Sequence, residues 1–331
     1  MPPADLEELV EGALDLHPHS VARLVSIFQD RRPDAAASRA RVIALLDERQ
    51  APVAPVIGIT GTPGSGKSSL VGRIAVDLIE SDPDLSVAVL AVDPSSQVSG
   101  GALLGDRTRL QVGAADHRLY FRSEASDTEL GGLSPSTFQV IRLLTRLFRS
   151  VIVETVGIGQ SEGDIRRLAE YVYLVIAPHG GDQVQFLKAG IIEIPDAFVL
   201  NKWDVPGSEV GYRQLRSSLW LARPFDAEET PIFRTSAKTG VGLDDLREAV
   251  AARIRKGPDD EQGAREAYFF ERWVRTEWGR RGVVALHEAG GASAEVERHG
   301  GFDLAQRAFD PASNRASGPA SNPASGTDDL G

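Results

Sequence analysis

One octapeptide constrains this chain more than any other stretch: Gly61-Thr62-Pro63-Gly64-Ser65-Gly66-Lys67-Ser68. It satisfies G-x-x-x-x-G-K-[ST] at every position. The apolar run from Pro55 to Thr60 precedes it, and a helical pattern from Ser69 to Glu80 follows. That is the strand–loop–helix context of a phosphate-binding P-loop. Gly61, Gly64 and Gly66 let the backbone curl, so that amides from Ser65 through Ser69 converge on phosphate. Lys67 then reaches the β- and γ-phosphates, and the Ser68 hydroxyl holds Mg²⁺.

Composition narrows the remaining choices. The chain has 331 residues, 42% of them hydrophobic and 25% charged, as in ordinary globular proteins. No apolar run approaches the ~18 residues of a membrane span, and the acidic start lacks a signal-peptide layout, so the expected location is cytoplasmic. With no cysteine, disulfides, thiolate metal sites and cysteine nucleophiles are excluded. A net charge of −11 argues against nucleic acid as the main partner. The histidines form no metal-ligand spacing; His17 and His19 flank Pro18 in a turn. Lysine is rare, yet Lys67, Lys188, Lys202 and Lys238 all fall in motif-like stretches, where a compact ammonium is not replaceable by arginine.

Taken in order, residues 1–50 read as a helical N-terminal extension, with apolar stripes Leu6, Leu9, Val10, Ala13 and Val21, Leu24, Val25, Phe28. Residues 51–256 alternate strands with helices, the signature of an α/β domain with a mostly parallel sheet covered on both faces. Strands are expected at 55–60, 87–92, 119–122, 150–154, 171–177, 196–201 and 231–235. Helices are expected at 67–80, 136–149, 163–169, 183–191, 209–222 and 243–255. Residues 257–309 form a short, aromatic-rich helical C-terminal extension, and 310–331, a Pro-Ala-Ser-Asn-Gly tail, is expected to be disordered.

In such sheets ligands sit beyond the carboxyl ends of the strands, where further motifs fall. Asn201-Lys202-Trp203-Asp204 follows the strand residues Ala197-Phe198-Val199-Leu200. A carboxylate there accepts from guanine N1–H and its 2-amino group, whereas adenine would leave it unpaired. Ser236-Ala237-Lys238 would bring a backbone N–H toward guanine O6. The nucleotide is therefore read as GTP. Asp93 follows Val87–Val92, with Pro94 expected to end that strand. A glycine-rich segment then carries Asp106 toward the γ-phosphate and Mg²⁺. Glu154 ends the strand 150–154 as an acidic group facing Mg²⁺ or attacking water, and Gly157 lets an amide approach the γ-phosphate.

Together these motifs resemble the MeaB/ArgK/MMAA family of P-loop GTPases, chaperones of adenosylcobalamin-dependent acyl-CoA mutases such as methylmalonyl-CoA mutase. The stretches that carry the resemblance are AVDPSS, GGALLGDRTR, VETVGIGQSE, GDQVQFLKAG and NKWD, in that order along about residues 20–250. It implies that Lys67 and Ser68 hold phosphate and Mg²⁺, and that Asp93, Asp106 and Glu154 form the metal and hydrolysis cluster. It further implies that Asp182, Gln185 and Lys188 belong to a switch coupling the GTPase to the mutase. Adenosylcobalamin would sit on the partner only, since D-x-H-x-x-G is absent. The family's C-terminal dimerisation arm looks altered here, around FFERWVRTEWGRRG, which leaves a homodimer open. The resulting expectation is a GTP-hydrolysing metallochaperone that gates cofactor loading and protection of the mutase. The alternatives are a GTP-dependent assembly scaffold and a GTPase delivering metal to a nickel enzyme.

Overall fold

The computed structural model describes residues 3–32, 35–94, 116–126, 133–155, 162–178 and 191–311. Asp106, Gly157, Asp182, Gln185 and Lys188 lie outside these residues, as do most of the helix expected at 183–191 and nearly all of the tail. The chain divides into a first unit ending at Gln262 and a second beginning at Gly263.

In the first unit the apolar runs become strands β1 (Val56–Gly61), β2 (Val87–Pro94), β3 (Leu119–Ser126), β4 (Ser150–Thr155), β5 (Tyr171–Ile176), β6 (Ala197–Leu200) and β7 (Ile232–Arg234). They form one seven-stranded sheet in the order β3-β2-β4-β1-β5-β6-β7, with every neighbouring pair parallel. Strands β1, β4 and β5 are buried along their whole length, which explains why they read as unbroken apolar runs rather than alternating ones.

Helices cover both faces. On one face α4 (Lys67–Ser81) and α8 (Leu243–Lys256) pack Leu70, Ile74, Leu78, Leu246 and Val250 against Ile57, Ile59, Val89, Ile152 and Val199. On the other, α7 (Ser208–Ala222) sets Leu215 and Leu219 on Leu174, Ile176, Phe198 and Leu200. Helix α5 (Pro135–Leu147) opens with Ser134, whose side chain accepts from the Thr137 amide, and with proline in its first turn, two features that fix a helix start. Helix α6 (Glu162–Leu168) precedes β5. The N-terminal helices α1 (Pro3–Leu14), α2 (Pro18–Gln29) and α3 (Ala35–Glu48) bury their apolar stripes, with Val10, Leu24, Val25 and Val42 fully enclosed, and α2 packs on α5.

Two strands, β2 and β3, outrun their expected ends by two residues or more. β2 continues through Asp93 and Pro94, pairing with Ala125 and Ser126 of β3, so Pro94 does not cut it short. Among the described residues β4 pairs with β2 only as far as Val92, so there Pro94 has a partner strand on one flank, a position proline tolerates. β3 runs four residues beyond the apolar segment because the polar Glu124 is itself buried.

The second unit holds α9 (Gln262–Glu288), α10 (Ala292–His299) and α11 (Phe302–Ala308). Gly279 breaks α9 at φ 59° and ψ −153°. Phe270 centres an aromatic core, with Trp273, Phe302 and Phe309 at centroid distances of 5.4, 5.8 and 5.9 Å.

Candidate nucleotide and hydrolysis site

β1 lies mid-sheet, between β4 and β5, and the loop from Gly61 to Gly66 leaves its carboxyl end. Gly61 passes so close to β5 that a Cβ would stand 1.9 Å from the Val175 carbonyl oxygen; only glycine fits. Gly66 takes φ 87° as the residue before α4, and a Cβ there would meet the Asn201 amide nitrogen at 2.7 Å. The loop closes on itself through the Ser65 amide and hydroxyl, both donated to the Thr62 carbonyl at 3.2 and 2.8 Å.

Lys67 is buried, and its ammonium donates to the Gly61 and Thr62 carbonyls, each at 2.9 Å. The positive group is thereby curled over the loop at the start of α4. The amino end of a helix already favours anions through its unbonded amides and dipole. A lysine in the same ring makes the place a strong phosphate cradle.

Glu154 lies in register with Ile59 across β4 and β1, two residues before β1 ends at Gly61. Only 4% of its surface is exposed, and one carboxylate oxygen accepts from the Ser68 hydroxyl at 2.8 Å. These hydroxyl and carboxylate oxygens are the donors that a hard divalent cation such as Mg²⁺ prefers. The sequence reading had placed Asp93 and Asp106 beside them. The structure sets the Asp93 backbone at the carboxyl edge of β2, next to β4, while its side chain and Asp106 lie outside what is described. Among the described residues no group of three or more acidic or histidine side chains gathers for a metal ion. Next to Glu154, the Thr155 hydroxyl donates to that of Thr60 at 2.9 Å, tying the two strand ends together. Nothing in the sequence pattern pointed to that buried pair.

Asn201 does more than its place in a guanine motif suggested. Its amide donates to the Ser65 carbonyl at 2.8 Å. Its carbonyl accepts from the Thr235 hydroxyl and the Ala237 amide at 3.3 and 3.2 Å. One buried side chain thus joins the phosphate loop, the 201–204 loop and the Ser236-Ala237-Lys238 turn. Within that turn, the Ala237 N–H is the amide given to Asn201. Lys202 holds φ 61°, a left-handed conformation that costs a residue with a Cβ about 1–2 kcal/mol and so needs support from its neighbours. That support includes the Trp203 amide, donated to the Thr235 carbonyl at 2.8 Å. Asp204 accepts from the Ser236 hydroxyl at 2.6 Å; this bond holds its carboxyl below the usual carboxylate range. Ser236 accepts in turn from the Thr239 amide. An ionised acceptor, aimed and exposed, is what reading the Watson–Crick edge of guanine requires.

Comparison with known proteins agrees with this geometry. The family described as methylmalonyl Co-A mutase-associated GTPase MeaB matches residues 21–277. A Pyrococcus horikoshii relative that carries the name of a GTPase is 39% identical over 249 residues, 74% of this chain and 76% of its own. The mouse mitochondrial methylmalonic aciduria type A homolog is 33% identical over 72% of this chain and 59% of its own. A Geobacillus kaustophilus protein named fused isobutyryl-CoA mutase is 34% identical over 70% of this chain but only 22% of its own. The crystal structure of a LAO/AO transport system kinase superposes with a TM-score of 0.59 at 21% identity, covering 96% of this chain and 97% of that one, and shares the fold. The chain is a P-loop GTPase and belongs to the MeaB family of methylmalonyl-CoA mutase-associated GTPases.

Proposed function

We propose that this GTPase gates adenosylcobalamin loading and protection of an acyl-CoA mutase of the methylmalonyl-CoA mutase type. The observation that carries the reading is the Geobacillus protein, in which a stretch resembling this chain forms part of a protein named as a mutase. Two activities placed in one chain act at high effective concentration on each other. In the present protein the same coupling would join separate chains. The family description, with its mutase association, supports the same partner.

Within the site, Lys67 and the P-loop amides bind the β- and γ-phosphates and offset the charge that builds on the transferring phosphoryl group. Ser68 and Glu154 would hold Mg²⁺, which when bound would neutralise charge on the phosphate oxygens. Glu154, buried at the strand end, also orients the water that attacks the γ-phosphorus. The bond to the β–γ bridging oxygen breaks, and GDP and phosphate leave. Asp204, ionised and hydrogen-bonded to Ser236, selects guanine; Asn201 keeps the base loop in fixed relation to the phosphate loop. Asp93 and Asp106 complete the metal and hydrolysis cluster, and Gly157 lets an amide approach the γ-phosphate. Asp182, Gln185 and Lys188 carry the signal to the mutase.

GTP turnover measured with and without a purified adenosylcobalamin-dependent acyl-CoA mutase tests the assignment. A complex and a rise in turnover of about tenfold are expected, well below the roughly 10³–10⁵-fold that an arginine-finger partner gives. Absence of both a complex and a rate change would sink it.

A further inference from the structure

Trp203, the variable residue of Asn201-Lys202-Trp203-Asp204, is held in an unusual way. Its ring meets Tyr212 of α7 edge to face, with centroids 6.4 Å apart and planes at 84°. The guanidinium of Arg234, the last residue of β7, stands 5.4 Å from the centre of each ring. Arg234 and Leu200 are register partners across β7 and β6, so the arginine rises on the face where Phe198 and Leu200 meet α7. Trp203 and Tyr212 pack against that same apolar cluster. Arg234 is exposed and joins no ion pair among the described residues. Its described contacts are therefore the faces of two aromatic rings.

The placement has a consequence for the base site. One residue beyond Arg234, the Thr235 carbonyl accepts the Trp203 amide. The loop is thus pinned by its backbone on one side and by a cation-capped aromatic pair on the other. Lys202, with its left-handed φ of 61°, and Asp204 flank the pinned residue. A carboxylate discriminates guanine through two simultaneous bonds, to N1–H and to the 2-amino group. A loop that rocks loses the second bond first, because both are short only at one orientation.

We propose that Arg234 is a positioning residue for guanine recognition, clamping Trp203 against Tyr212 so that Asp204 keeps its two-bond geometry. This rests on the reading of Asp204 as the guanine acceptor. Arginine suits the role, since a planar guanidinium stacks on aromatic faces where an ammonium does so less well.

The experiment compares Arg234→Met, Arg234→Lys and Asp204→Asn in the full chain, with GDP, IDP and XDP as binding probes and GTP as substrate. IDP lacks the 2-amino group. Arg234→Met, which keeps an apolar stem without the charge, is expected to weaken GDP binding about fivefold. It should also shrink the GDP-over-IDP preference and raise KM for GTP more than it lowers kcat. Arg234→Lys should recover part of the loss. Unchanged GDP affinity and an unchanged GDP-to-IDP ratio in Arg234→Met would overturn the clamp. So would a proportional loss of both nucleotides accompanied by a lower unfolding midpoint, since that marks a purely structural role. Asp204→Asn separates the two ideas: a gain of xanthine-nucleotide preference upholds the base reading even if the clamp fails. Unaltered guanine affinity in that variant overturns both.

Discussion

Glu154 shows how much one methylene can decide. Common GTPases place an aspartate at the end of this strand, whereas here the longer side chain reaches the Ser68 hydroxyl at 2.8 Å from within a nearly closed environment. Replacing it with glutamine keeps the shape and the bond to Ser68 but removes the charge proposed to serve both the cation and the water. Glu154→Gln should lower single-turnover GTP hydrolysis by about 10²–10³-fold, the usual cost of one electrostatic contributor, while GTP binding survives within a few fold. Rapid-quench hydrolysis beside equilibrium binding would check this. A pure assembly scaffold would keep its partner function in that variant, and a timer driven by hydrolysis would not.

Among the elements, the clearest coupling runs from α2 to the edge strand β3. The Gln29 amide donates to Glu124 at 2.6 Å, and its carbonyl accepts from Arg122 at 2.6 Å, so the last residue of α2 bridges two side chains of the strand. Burial pushes the Glu124 carboxyl above its ordinary value near 4.5, against the opposing pull of Gln29, Thr137 and Arg122. A carboxyl raised by folding favours the fold while protonated, and that contribution is lost as pH climbs through the folded value. Glu124→Gln should therefore raise the unfolding midpoint at pH 7.5 and make little difference near pH 4. Thermal unfolding at the two pH values decides it. The network also explains where reading the sequence fell short. Strands β1, β4, β5 and β6 announced themselves by unbroken apolar runs. The polar end of β3 did not, because its burial depends on a helix almost a hundred residues earlier. For the same reason Lys67, Ser68 and Asn201-Lys202-Trp203-Asp204 were legible as local patterns. The Thr60–Thr155 pair and the Arg234 clamp were not, since each joins residues that only the sheet brings together.

Across the whole molecule, the two units are built on different principles. The first spreads its core over two faces of a sheet, so no single side chain dominates. The second concentrates its core on Phe270, fully buried and ringed by Trp273, Phe302 and Phe309. Phe270→Ala should cost that unit about 3–5 kcal/mol, visible as an earlier loss of near-ultraviolet circular dichroism on heating. The aromatic density of this segment was plain in the sequence. Its break at Gly279 was not, since Trp278-Gly279-Arg280-Arg281 sits within an otherwise helical run and tertiary context decides whether such a glycine stays helical.

Asn201 has a kinetic consequence. Its amide is bonded to the phosphate loop and its carbonyl to the turn after β7, so the grips on the two ends of a nucleotide share one mechanical joint. Slackening at one end is expected to loosen the other. With those loops read as the phosphate and base grips, escape of GDP is expected to be one concerted event rather than two successive ones, its rate following how often that joint yields.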